Sequence, residues 1–275
     1  MKLVILLCIL IGFLSAFIGS LVGLGGGIIF VPVMLFLHDH VASFSWANPQ
    51  AIVGISLITM VFTGLSSTIA YYKQKKVDIK TGVIFLIGSI PGSIIGSWIN
   101  TKLDSANFSL YFGILMIIIF SLMFIDRDKL KKNKPLQVTK HTRYFEVDGE
   151  TYQYNVSYIP AFILSFTVGV LSGLFGIGGG TISVPAMMLF FGIPVKVAVA
   201  TSMFMIFFIS LFSASTHIVL GHIVWAYVIF FVIGSYLGGT IGAKTSKKLK
   251  SNTLEWILRI VILIAAIRLI VESIV

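Results

Sequence analysis

The chain holds a single cysteine, Cys8, so no internal disulfide can brace it, and a thiolate metal site has no second cysteine to build on. Carboxylates are nearly as scarce. The ten of them (Asp39, Asp78, Asp104, Asp126, Asp128, Glu146, Asp148, Glu150, Glu255 and Glu272) all fall in expected loops or near expected helix ends. An acid inside an apolar span is the usual mark of a proton relay, and no buried acid is expected here. The same scarcity disfavours an intramembrane aspartyl protease, and no His-Glu-x-x-His sequence offers a zinc site. Charged residues make up 11% of the chain, too few for a soluble protein of this length.

In their place the sequence is 57% hydrophobic, with a mean hydropathy of +1.02. Apolar segments recur at 2–23, 50–72, 79–99, 106–125, 157–176, 195–220, 223–243 and 252–274. Each suffices to cross about 30 Å of hydrocarbon as a helix of about 20 residues. The ~10-residue alternating segments of a membrane β-barrel are missing. The fold class expected is an all-α polytopic membrane protein in the plasma membrane. Its net charge of +10 is assigned to topogenic loops rather than to nucleic-acid binding. Residues 1–16 resemble a signal peptide, yet their counterpart at 158–168 lies mid-chain, so the first segment is expected to be a retained helix.

One phrase occurs twice. Residues 23–32 read Gly-Leu-Gly-Gly-Gly-Ile-Ile-Phe-Val-Pro and residues 176–185 read Gly-Ile-Gly-Gly-Gly-Thr-Ile-Ser-Val-Pro, at an offset of 153. Pro32 pairs with Pro185. Further on the offset becomes 146, which aligns Ser56 with Ser202, and Gly92 and Gly96 with Gly238 and Gly242. Two repeats are therefore expected, 1–125 and 157–275, each of about four membrane helices. Each glycine costs a helix about 1 kcal/mol relative to alanine, so three in a row predict that the first helix of each repeat is broken there. Gly92-x-x-x-Gly96 and Gly238-x-x-x-Gly242 are read as helix-packing grooves.

If the short pieces after the glycines do not change sides, eight simple crossings place 12 basic residues inside and 6 outside. If each glycine turn closes a hairpin, the count becomes 16 to 2. The positive-inside rule prefers the second arrangement, which inverts one repeat against the other and puts both termini outside. The linker 126–156 then lies in the cytoplasm. Alternation around Asp148-Gly149 predicts a β-hairpin there.

A glycine turn that opens a half-helix leaves bare amides at the positive end of a helix dipole, a setting suited to an anion. Gly25, Gly26, Gly27, Gly178, Gly179 and Gly180 are the candidate substrate-binding positions, with the Thr181 hydroxyl as a further donor. Ser56, Thr201 and Ser202, on the following helices, are candidate side-chain contacts; helix-to-helix bonding is the other reading of such Ser/Thr stripes. Ile28 and Phe30 face Thr181 and Ser183 in the alignment, so an asymmetric site is expected. His38, Asp39 and His40, and His217 with His222, are read as interface residues, not as metal ligands; no cofactor or metal is expected.

The doubled Gly-x-Gly-Gly-Gly-x-x-x-Val-Pro phrase, Ala198-Val-Ala-Thr-Ser202 and Gly221-His-Ile-Val-Trp225 resemble the TauE/SafE (sulfite exporter) family of membrane permeases. The first half has Ala51-Ile-Val-Gly-Ile-Ser56, which keeps the serine and lacks the threonine. The resemblance implies a transporter, not an enzyme. Its partners would be the lipid bilayer and a small anionic solute, often sulfur-containing, such as sulfite, sulfoacetate or another organosulfonate. Export by alternating access is expected, with an H⁺- or Na⁺-coupled importer and a membrane-embedded enzyme as alternatives. Oligomeric state is not legible in the sequence.

Overall fold

The computed structural model describes residues 2–103, 105–122 and 142–250, with isolated positions between 252 and 267. Its helices are α1 Lys2–Val22, α2 Gly27–His40, α3 Pro49–Lys73, α4 Ile79–Asn100, α5 Ser105–Leu122, α6 Tyr158–Phe175, α7 Gly180–Phe191, α8 Val195–Val219 and α9 Trp225–Ser246. Two strands, β1 Thr142–Val147 and β2 Glu150–Asn155, lie between α5 and α6. The charged run 126–134 and most of the last apolar segment, 252–274, lie outside the described residues.

Six of these helices (α1, α3, α4, α6, α8 and α9) are long and apolar enough to cross a membrane. By contrast α2 and α7 have 14 and 12 residues, about half a bilayer at 1.5 Å per residue. They follow α1 and α6 across the two glycine phrases, so the chain breaks at both places where glycine is densest. The starts of α3 and α4 use ordinary side-chain caps. The Asn48 side chain accepts from the Ala51 amide at 2.9 Å ahead of Pro49, and the Asp78 carboxylate accepts from the Thr81 amide at 3.1 Å.

At the centre, α3 and α8 cross antiparallel, with Gly64 against the Phe207 backbone and Gly54 beside His217. Parallel pairs flank them. On α9, Gly234, Gly238 and Gly242 lie against the carbonyls of Ile9, Phe13 and Phe17 of α1. On α4, Gly88, Gly92 and Gly96 lie against the carbonyls of Phe162, Phe166 and Val170 of α6. A Cβ at any of these six glycines would run into backbone, so the close approach depends on the missing side chains. Without a hydrophobic force between helices in lipid, such contact supplies much of the association. The outer faces carry the apolar residues that meet lipid: α1 exposes Leu3, Leu6, Leu10 and Leu14 while burying Gly12, Ser15, Ala16 and Gly19.

These directions sort the loops into two ends. One end gathers the starts of α1, α3 and α9, where Trp46 of the α2–α3 loop stacks on Tyr227 at 4.5 Å. The other gathers the starts of α4, α6 and α8 together with the β-hairpin. The hairpin pairs Thr142 with Asn155 through Val147 with Glu150, and Asp148 and Gly149 turn it at φ of 53° and 84°, as a type I′ turn requires. Val147, Tyr154 and Val156 are buried, and Lys196 at the start of α8 donates to Asp148 at 2.7 Å. Lys76, after α3, approaches the same carboxylate at 3.8 Å.

The hairpin also overturns one expectation. Asp78, 5% exposed, is a buried acid: it accepts from Thr81 and, at 2.6 Å, from the Tyr154 hydroxyl. In sequence Asp78 is a loop residue before a helix, as read; its burial comes from a strand 76 positions away. Burial, followed by the neighbouring carboxylate, pushes the Tyr154 hydroxyl above its ordinary range.

Candidate functional site

The two glycine phrases meet in the middle of the protein. Gly23, Gly25 and Gly26 take φ of 80°, 84° and 98°, and Gly176, Gly178 and Gly179 take 68°, 69° and 75°. All six lie in the left-handed region, which costs an L-residue about 1–2 kcal/mol per position. Gly27 packs on the Gly176 carbonyl, and Gly180 packs on the Gly23 carbonyl. The N-termini of α2 and α7 therefore open beside each other.

Among the described residues, no acceptor meets the amides of Gly26, Gly27 and Ile28 on one turn, or those of Gly178, Gly179, Gly180 and Thr181 on the other. The first bonds of each half-helix begin later, at Ile29 and Phe30 donating to Gly26 and at Ile182 and Ser183 donating to Gly179. Bare amides and two helix dipoles make this region positive without any cation side chain.

The second turn adds hydroxyls. Thr181 and Ser183 are 0% and 1% exposed, and neither side chain has a hydrogen-bond partner. Ser172, four residues before Gly176 and fully buried, is unpartnered as well. Buried polar atoms without partners are uncommon and call for a ligand, a water or a strain account. The first turn has Ile28 and Phe30 at the matching places and Gly19 opposite Ser172. Its one buried, unpartnered hydroxyl is Ser15, packed against Gly26 where the second turn has Val168, so three such hydroxyls attend the second turn and one the first.

The expected side-chain contacts have other partners. Ser56 donates to the Gly176 carbonyl at 2.7 Å, and Ser202 donates to the Gly23 carbonyl at 2.7 Å. Each serine of one half thus holds the glycine turn of the other half. Thr201 points elsewhere: its hydroxyl accepts the Asp78 amide at 3.0 Å and fastens the α3–α4 loop. Of the polar stripe on α3, Thr59, Thr63 and Ser66 donate to carbonyls of their own helix, while Ser67 reaches Gly239 across the α3–α9 contact. Pro32 and Pro185 lie inside α2 and α7, one turn beyond the glycines, where each removes one backbone donor.

Residues that sequence reasoning missed also line the turns. Met60 of α3 and Ile206 of α8, both buried, lie between them. A Cβ on Gly178 would stand 2.5 Å from Met60 Sδ, and one on Gly180 would stand 2.6 Å from Ile206 Cδ1. The signal was present, since 60 and 206 differ by the same 146 that aligns the serines. An apolar residue in an apolar helix gave no reason to look.

His217 and His222 bond to each other, Nδ1 to Nδ1 at 2.9 Å, and His217 Nε2 lies 3.3 Å from the Gly173 carbonyl. That carbonyl can only accept, so His217 carries its proton on Nε2 and accepts at Nδ1 from His222. The arrangement closes the α8–α9 loop onto α6. Tyr71 makes the matching bond in the first half, donating to Ser20 at 2.7 Å.

Six membrane-capable helices, with the two short apolar helices α2 and α7, define a multi-pass α-helical membrane protein. The chain belongs to the sulfite exporter TauE/SafE family, whose description matches residues 8–269. It is 44% identical over 267 residues to the Probable membrane transporter protein YunE of Bacillus subtilis (strain 168), covering 97% of both chains. It is 27% identical to the Probable membrane transporter protein YdhB of the same strain, over 88% of this chain and 89% of the relative. With the Probable membrane transporter protein MJ0441 of Methanocaldococcus jannaschii, identity is 29% over 71% of this chain and 66% of the relative. No solved structure matches. The family and these relatives make the chain a membrane transporter.

Proposed function

We propose that this transporter carries a small anion, sulfur-containing as in sulfite, sulfoacetate or another organosulfonate, and that the two glycine turns bind it. The observation that carries the reading is that the two abutting glycine turns hold seven unpaired amides, with the buried, unpartnered hydroxyls of Thr181, Ser183 and Ser172 on or next to the second turn in the chain. A tetrahedral or pyramidal oxyanion accepts several hydrogen bonds at once, and backbone amides at helix N-termini donate them without a fixed positive charge that would trap the ion.

The two repeats are read as inverted. Support comes from the parallel α1–α9 and α4–α6 pairs, which carry α2 back to the end where α1 begins and α7 back to the end where α6 begins. It comes also from charge: Lys73, Lys75, Lys76, Lys80, Arg143, Lys196 and Lys244 gather at the hairpin end, against Lys2 and Lys102 at the other. The positive-inside rule then makes the hairpin end cytoplasmic. Rocking of one half against the other exposes the turns alternately to each side. An inside-negative potential drives export by about 2.3 kcal/mol per charge per 100 mV, roughly a fiftyfold gradient for a monoanion.

Purified protein in liposomes under an imposed potential tests this. Sulfite or sulfoacetate flux well above that of empty vesicles, with Gly26→Ala and Gly179→Ala near background, is expected. Flux no faster than empty vesicles for every anion sinks the reading. A strict requirement for Na⁺ or a pH gradient would move it to coupled import, and chemical conversion of the anion to an enzyme.

A further inference from the structure

We propose that Met60 and Ile206 form an apolar gate over the glycine turns, with Met60 as the leaf that moves. The inference rests on the anion-site reading above and adds what controls entry to that site. Both side chains touch both turns. A Cβ on Gly25 would stand 3.1 Å from Ile206 Cδ1 and 3.2 Å from Met60 Sδ, and one on Gly178 would stand 2.5 Å from Met60 Sδ and 3.3 Å from Ile206 Cγ2. Each also sits over one half-helix start. Met60 Cε lies 3.0 Å from a Cβ on Gly27, and Ile206 Cδ1 lies 2.6 Å from one on Gly180.

With 1% and 0% exposure, these two buried residues pack against both turns beside the bare amides. An anion that reaches the amides must displace them. An apolar constriction stops a hydrated ion by excluding its water, the principle of hydrophobic gates in channels. The two leaves differ in stiffness. Isoleucine is branched at Cβ and holds essentially one χ1 rotamer in a helix. Methionine has three rotatable bonds and a polarizable thioether that adapts to a changing surface. Withdrawal of Met60 alone uncovers the Gly27 end and part of Gly178, with no change in the α8 backbone.

Anion flux in proteoliposomes, compared across sulfite, sulfoacetate, sulfate and chloride at equal amounts of monodisperse protein, tests the gate. Met60→Ala should raise passive flux about tenfold and flatten the preference among the four anions. Met60→Ile should slow transport about tenfold, whereas Ile206→Met should speed it. A second measurement avoids reliance on the alanine variant. In a Cys8→Ala background, Met60→Cys should react with a soluble thiol reagent several-fold faster when transported anion is present. Should the Gly26→Ala variant lose transport while all Met60 variants carry the four anions like the parent, the gate is wrong and the site stands. If the parent moves none of the four and thiol labelling ignores every one, the anion site and the gate fall together.

Discussion

The first and second glycine turns have the same backbone and different surroundings. Both use left-handed glycines, both leave their first amides unpaired, and each is held by a serine from the opposite half. Yet the second has Thr181, Ser183 and Ser172 where the first has Ile28, Phe30 and Gly19. The shared features are backbone ones, needed wherever a helix is broken inside a membrane. The differing ones are side chains, free to vary once the break is secured. The backbone of the two turns is therefore alike, while buried hydroxyls without partners are more numerous around the second.

The comparison breaks most sharply at the glycines themselves. A Cβ at Gly26, at φ 98°, would stand 2.7 Å from the Ser15 carbonyl, whereas at Gly179 its nearest neighbour is Val168 Cγ1 at 3.1 Å, a side chain that can give. Gly26→Ala should cut transport by more than an order of magnitude and lower the unfolding temperature in detergent, since about 1–2 kcal/mol of backbone strain adds to the overlap. Gly179→Ala should do the same to a lesser degree. Equal losses would mean that the left-handed backbone alone decides.

Next comes the hydroxyl asymmetry. Thr181→Val should weaken apparent anion affinity about tenfold, the value of one hydrogen bond to a charged group at ~1.5 kcal/mol. Ile28→Thr should strengthen it or leave it within a factor of two. Concentration dependence of flux distinguishes them, and identical responses from the two turns would defeat the asymmetric site.

The reciprocal serines should show a milder effect on stability. Ser56→Ala strips the Gly176 carbonyl of a buried donor and should cost about 1–2 kcal/mol. Ser202 lies 2.8 Å from the Val199 carbonyl as well as 2.7 Å from Gly23, so its single proton is shared and Ser202→Ala should cost less. Thermal denaturation of the two variants side by side checks the order.

The smallest effect belongs to the hairpin. Asp148→Asn removes partners of Lys196 and Lys76 at a carboxylate that is 48% exposed, so about half a kcal/mol or less is expected. The Lys196 ammonium holds the Asp148 carboxyl below its ordinary 3.8. A lowered folded value stabilises above that ordinary value and is lost as pH falls through the lowered one. The docking contribution is therefore complete at neutral pH and fades only in strong acid. A hairpin that detaches near pH 6 in hydrogen exchange would contradict this.

Much of the architecture was legible. Half-length helices after the glycines, and grooves at Gly92, Gly96, Gly238 and Gly242, follow from local rules about backbone freedom and side-chain size. Thr201 shows where such reading stops. Its place beside Ser202 and its hydroxyl suited it to an anion, but the pattern gave no sign that the hydroxyl oxygen also accepts the Asp78 amide of another loop, a bond that leaves its proton uncommitted. Asp78 failed for the same reason, since its burial depends on Tyr154. A one-dimensional pattern says what a side chain can bond; the partner is set by elements distant in sequence.

By itself the sequence determined that the chain spans a membrane many times, that it is broken twice at glycine, and that the two breaks match. Those features follow from hydropathy, from helix cost per glycine and from repetition, all local quantities. Only the tertiary structure decided that Gly27 meets Gly176 and Gly180 meets Gly23, that Ser56 and Ser202 hold the turn of the opposite half, and that Met60 and Ile206 pack against both turns. In an apolar chain the same serine, methionine or isoleucine can face lipid, a helix or a site. Only packing of helices far apart in sequence determines which.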